Sequence, residues 1–118
     1  MATTTLTAAN FDKTAAGEGI LLVDFWASWC GPCRMFAPVY DRASEKHEDI
    51  VFGKVDTEAE QDLAGRFQIS SIPTIMAIRD GVIVFSQAGA LPEKSLESLI
   101  EQVRGLDMDD VRSRLAES

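Results

Sequence analysis

Cys30 and Cys33 are the only cysteines in the chain, and they sit in the stretch VDFWASWCGPC together with both tryptophans and Asp24. Cysteines three residues apart can open and close a disulfide with little backbone movement if a helix starts there and turns both sulfurs to one side. A helix start also aims unpaired N–H groups and the positive end of the macrodipole at the first sulfur, which favours thiolate over thiol. Pro32 suits the first turn, where a missing N–H costs nothing, and Gly31 places no side chain in the path of a partner reaching Cys30. The chemistry this arrangement suits is thiol–disulfide exchange, with Cys30, expected to be the more exposed sulfur, as nucleophile.

Two plainer readings compete. The cysteines can be small buried hydrophobes, although a pair at a strand-to-helix junction with Gly-Pro between argues against it. A zinc site takes about four ligands; the chain offers one pair and a distant His47, so a metal would need two copies of the pair in a dimer. No metal is expected.

Asp24 is the second informative residue. Alternation along 20–26 puts it on the same strand face as Leu22 and Trp26, pointing inward, where an unpaired carboxylate is expensive. Burial would raise its pKa and make it a general acid–base six residues before Cys30. The alternative is an aspartate held by a hydrogen bond with no catalytic part. Lys54, on the next strand, is either its counter-charge or a solvent-facing lysine.

The elements that must position these residues follow from periodicity and turn chemistry. A short strand over 4–6 leads to a helix over 8–15 with Thr7 as N-cap, and the glycines at 17 and 19 mark a loop. Residues 20–26 are apolar at nearly every position, as in a strand buried on both faces. Phe36, Val39, Tyr40 and Ala43 fall at helical spacing within 30–47, with Pro38 expected to kink that helix. A strand over 50–56 precedes Thr57 and Glu60, which read as a capping box for a helix to Phe67. Asp80-Gly81 between 74–79 and 82–87 signals an antiparallel hairpin. Leu96, Leu99, Ile100 and Val103 form one face of a helix over 92–105 with Gly105 as C-cap. This order asks for a mixed sheet with helices on both sides.

At 118 residues, 46% hydrophobic and 25% charged, the chain has the composition of one globular domain. A formal charge of -8 would repel a nucleic-acid backbone or an anionic membrane. The opening MATTTLTAANF has no basic start and no apolar run of signal length, so we expect no export, no membrane span and a reducing, cytoplasmic setting.

VDFWASWCGPC resembles the active-site segment of the thioredoxin family. The likeness continues through KVD at 54–56, SIPT at 71–74, the DG hairpin and GAL at 89–91, covering residues 6–105. It implies a thioredoxin fold, a central mixed β-sheet flanked by four α-helices, with Cys30 attacking and Cys33 resolving. Asp24 matches the family's buried carboxylate, Lys54 the lysine that modulates it, and Pro73 the cis-proline opposite the cysteines. Trp29, Gly31, Pro32, Ile72, Pro73 and Gly89 match a shallow surface that receives an extended target segment; the plainer roles are core packing for Ile72 and a turn or bulge for Gly89. The implied activity is general protein-disulfide reduction in cell redox homeostasis by a monomer with no bound cofactor. Its electrons would come indirectly from NADPH through a thioredoxin reductase. Protein disulfide isomerases of this superfamily carry histidine before the second cysteine; the family potentials, about -270 against about -180 mV, correspond to roughly 4 kcal/mol for two electrons. Pro32 therefore points to a reductant.

Two features depart from the family. Thr57 stands where an aliphatic residue is usual. Beyond a domain spanning 1–105, an acidic extension over 106–118 carries Met108, Val111 and Leu115 at helical spacing after Asp107, a short capped helix or else a frayed tail. A second function class is a binding module on the same fold, in which exchange is incidental; replacing both cysteines by serine separates the two.

Overall fold

The central strand is β2 (Ile20–Trp26), parallel to β3 (Val51–Asp56) on one side and antiparallel to β4 (Thr74–Arg79) on the other. The structure, a computed structural model, describes residues 2–117. Short β1 (Thr3–Thr5) pairs with β3 and β5 (Val82–Ala88) with β4, giving a five-stranded sheet of order β1-β3-β2-β4-β5. The helices are α1 (Phe11–Ala15), α2 (Gly31–Lys46), α3 (Gln61–Arg66), α4 (Glu93–Arg104) and α5 (Met108–Ala116).

Because β2 is central, both its faces are covered, which is why its sequence lacks polar alternation. Leu22 packs with Phe36 and Tyr40 of α2 and with Leu96 and Ile100 of α4. Leu21, Val23 and Phe25 pack on the opposite side with Phe11 of α1 and Leu63 of α3. Asp24 shares the parity of Leu22 and therefore lies on the α2 side. The β4–β5 turn has positive φ at both Asp80 (51°) and Gly81 (82°), the backbone that an Asp-Gly hairpin favours.

Several local expectations are corrected. The first helix begins at Phe11, after Asn10, because the Thr7 hydroxyl accepts the Ala9 N–H (3.2 Å) and closes a turn instead. The capping box at Thr57 does not form: its hydroxyl donates to the Trp26 carbonyl (3.0 Å), Glu60 accepts the Ala8 N–H (2.7 Å), and α3 starts at Gln61. Gly105 does stand at the C-cap of α4, but with φ of -83° rather than a left-handed conformation. The flanking helices number five among the described residues, since α5 follows α4. Asp107 caps α5 by accepting the N–H groups of Asp109 (3.1 Å) and Asp110 (3.2 Å). The apolar stripe of α5 docks at its first turn only: Met108 is buried, Val111 half-buried and Leu115 exposed.

Candidate active site

β2 ends at Trp26, the chain turns through Ser28 and Trp29, and α2 begins immediately after Cys30. Cys30 has the extended backbone of an N-cap (φ -85°, ψ 112°), and its Sγ accepts the N–H of Cys33 at 3.2 Å. One of the helix's otherwise unpaired donors thus points at the first sulfur, which is the arrangement that stabilises a thiolate. Cys30 and Cys33 form a disulfide with their Cα atoms 5.2 Å apart. Exposure does not distinguish them: Cys30 is 4% and Cys33 3% accessible, so the expected greater exposure of Cys30 gives way to a difference of position. Cys30 caps the helix, whereas Cys33 lies one turn inside it on the buried face.

The surroundings of the pair come from three separate loops. The Ile72–Pro73 bond is cis, and Cys30 Sγ lies 3.7 Å from the Ile72 carbonyl oxygen. Ile72 packs both on the cluster of Ala27, Cys30 and Cys33 and on the core beneath α1 and α3, so core packing accounts for part of its place. Gly89 donates its N–H to the Pro73 carbonyl (2.8 Å) at a φ of 113°, a conformation that side chains rarely adopt. The turn expected at Gly89 is present, and it ties that loop to Pro73. Trp29 is 64% exposed, Pro32 is exposed, and a Cβ added to Gly31 would meet nothing within 4 Å. Glycine at position 31 therefore relieves no internal crowding.

Asp24 is fully buried, and neither carboxylate oxygen has a hydrogen-bond partner. It lies between Leu22, packed against α2, and Trp26, packed against the cysteine cluster. Burial pushes its pKa up to about 7; Lys54 pulls the other way and Asp41 adds to the rise. No protein group among the described residues hydrogen-bonds the Asp24 carboxyl. Lys54 is its register neighbour on β3, but the ammonium rests 5.1 Å from the centre of the Trp26 ring rather than on the carboxylate. Tyr40, on the same side, donates its hydroxyl to the Gly53 carbonyl (2.8 Å), and burial first, with Asp24 and Asp41 behind it, holds its pKa well above the ordinary value.

Two further contacts support the site. Arg34 donates to the Ser28 carbonyl (2.8 Å), bracing the turn that presents Trp29. Thr57 uses both its N–H (2.9 Å) and its hydroxyl (3.0 Å) on the Trp26 carbonyl, joining the ends of β2 and β3. Each contact joins residues in different elements, so local spacing gives no hint of it. Among the described residues, no group of three or more His, Cys, Asp and Glu side chains is placed to hold a metal ion, and no helix is long and apolar enough to cross a membrane.

The profile of the family described as Thioredoxin matches residues 2–102. The chain belongs to the thioredoxin family. It is 56% identical over 115 residues to "Putative thioredoxin 2" of Streptomyces coelicolor, a match covering 98% of this chain and 86% of that protein. It is 41% identical to a thioredoxin of Alicyclobacillus acidocaldarius, over 86% of this chain and 98% of that one. A solved structure titled "Initial Structural Analysis of Plasmodium falciparum thioredoxin" superposes with a TM-score of 0.77 at 34% identity, covering 83% of this chain and 96% of that one. The thioredoxin fold is thus shown by both sequence and shape. Together with the Cys30–Cys33 pair, it makes the chain a protein-disulfide oxidoreductase working by thiol–disulfide exchange.

Proposed function

We propose that the chain is a general reductant of protein disulfides, with residues 1–105 carrying the exchange and 106–118 an acidic accessory segment. The Cys30 thiolate attacks one sulfur of a target disulfide; that S–S bond breaks, a mixed disulfide forms, and the target's other sulfur leaves as a thiolate that takes a proton from water. Cys33 then gives its proton to the Asp24 carboxylate, relayed through water, and attacks Cys30 Sγ. The Cys30–Cys33 disulfide forms and the second target thiolate departs. The target gains two electrons and the dithiol loses them.

Lys54 tunes the proton affinity of Asp24 across the strand pair. Trp29, Gly31, Pro32, Ile72, Pro73 and Gly89 form the surface on which an extended target segment lies. Regeneration of the dithiol falls to a flavin-containing thioredoxin reductase drawing on NADPH, in the cytoplasm, with this chain acting as a monomer.

The observation that carries this reading is the N–H of Cys33 held on Cys30 Sγ at 3.2 Å, a donor aimed at the sulfur that must bear charge. The test is trapping. Cys33→Ser should accumulate mixed disulfides with protein targets, and Cys30→Ser should accumulate none. Equal trapping by both variants, or turnover of insulin disulfides by Cys30→Ser, would refute the assignment.

A further inference from the structure

His47 is the only histidine in the chain, and it closes α2 as its C-cap, at the end opposite Cys30. Its side chain is 15% exposed, and its ring lies against Phe52 of β3 with centroids 6.5 Å apart. Both ring nitrogens are engaged by α4: Glu97 Oε1 lies 2.7 Å from Nε2, and Arg104 Nη2 lies 3.0 Å from Nδ1. A guanidinium only donates, so Nδ1 must accept and carries no proton. Nε2 then holds the ring's single hydrogen and donates it to Glu97. The contacts therefore specify a neutral imidazole in one tautomer.

A second proton would turn Nδ1 into a donor facing another donor across 3.0 Å, with like charges opposed. On the other side of the ring the same proton turns the Glu97 hydrogen bond into an ion pair, beside a buried Glu97 Oε2 that no described group bonds. One side gains as the other loses. Arg104 keeps other partners, since Asp49 accepts from both its terminal nitrogens and Glu101 lies one turn back on α4. Of the remaining charges near the ring, Lys46 is paired with Glu93 (3.7 Å) and Glu48 is exposed on the connection to β3; from the sheet, Phe52 brings none.

We propose that His47 is a proton-operated switch between α2 and α4: neutral, it binds both Glu97 and Arg104; protonated, it keeps Glu97 and expels Arg104 to Asp49 and Glu101. No group of the exchange site takes part.

The test follows the full-length oxidised protein by NMR from about pH 8.5 to about pH 5, the span over which histidine ordinarily changes charge. With one histidine in the chain, its ring nitrogens are seen without overlap. At high pH Nδ1 should show the shift of a bare nitrogen and Nε2 that of a protonated one, and the Arg104 guanidinium signal should move with the same midpoint as the ring. Linkage requires the reverse effect: removing the expelled cation must make the proton bind more tightly. Arg104→Met should therefore raise the ring's proton affinity about tenfold, and Glu97→Gln should lower it about tenfold. The proposal is overturned if Nδ1 carries the hydrogen at high pH, if the Arg104 signal ignores the ring's titration, or if Arg104→Met leaves the proton affinity unchanged. The first two readings use the parent protein, so they decide the matter even where a variant fails to fold.

Discussion

The two ends of the sheet treat charge in opposite ways. Toward the C-terminal end of β2, Asp24 is buried with both oxygens unpartnered, and its nearest cation along the sheet rests on a tryptophan ring. At the other end, Arg79, opposite Ile20, donates one guanidinium nitrogen to the carbonyls of Val103 (2.8 Å), Arg104 (3.2 Å) and Leu106 (2.7 Å). Asp80 beside it accepts the Gly19 N–H (2.8 Å) and faces Arg79 and Arg112, each at 3.9 Å. Where the task is to hold α4, the hairpin and α5 together, polar groups are satisfied and rigid. At the carboxyl proposed to take the Cys33 proton, no protein group is paired with it and burial pushes its pKa up to about 7. The first arrangement stabilises the fold; the second destabilises it.

That contrast can be broken at either end. The largest effect belongs to the exchange site: Cys30→Ser should reduce turnover of insulin disulfides to background while leaving the unfolding midpoint of the reduced protein close to the parent's. Next is Asp24→Asn. The folded protein keeps the Asp24 proton up to about pH 7, whereas its ordinary value is 3.8, so between the two the folded state binds more protons and stability falls as pH rises. The stability of Asp24→Asn relative to the parent should therefore grow by about 4 kcal/mol between pH 3 and pH 9, read from urea unfolding at each pH. A constant difference would mean that Asp24 ionises normally.

At the opposite end, Arg79→Met should lower stability by about 2 kcal/mol, since three carbonyls lose a charged donor, with the exchange rate per folded molecule unchanged. A loss of exchange in that variant would show that the two ends are coupled. The smallest effect is expected of Asp107→Ala, about 1 kcal/mol confined to α5. Amide hydrogen exchange should quicken at Asp109, Asp110 and Val111 and stay as before around Cys30.

What was legible in the chain divides along similar lines. β2, α2, the Asp80-Gly81 hairpin and the apolar face of α4 could be read because periodicity and local turn chemistry act over a few residues. The burial of Asp24 was legible by alternation from Leu22; that no protein group pairs with it was not, because Lys54 occupies the right register but lies on Trp26. The caps expected at Thr7 and Thr57 failed because local spacing cannot show whether a side chain turns instead to a neighbouring turn or a distant carbonyl. Pro73 was placed by family resemblance, since only about 5% of such bonds adopt the cis form. Arg34 on Ser28 and Arg79 on the end of α4 left no pattern, each being a contact fixed only once the elements are packed.

The central claim is that the buried Asp24 carboxyl changes its protonation near neutral pH and can therefore take the proton that Cys33 gives up. It is tested most directly by following the Asp24 carboxyl carbon by NMR through a pH titration of the oxidised protein. The account expects a midpoint at about pH 7, where burial places it. A midpoint close to the ordinary 3.8 would contradict it and leave Asp24 too weak a base to take a proton from Cys33.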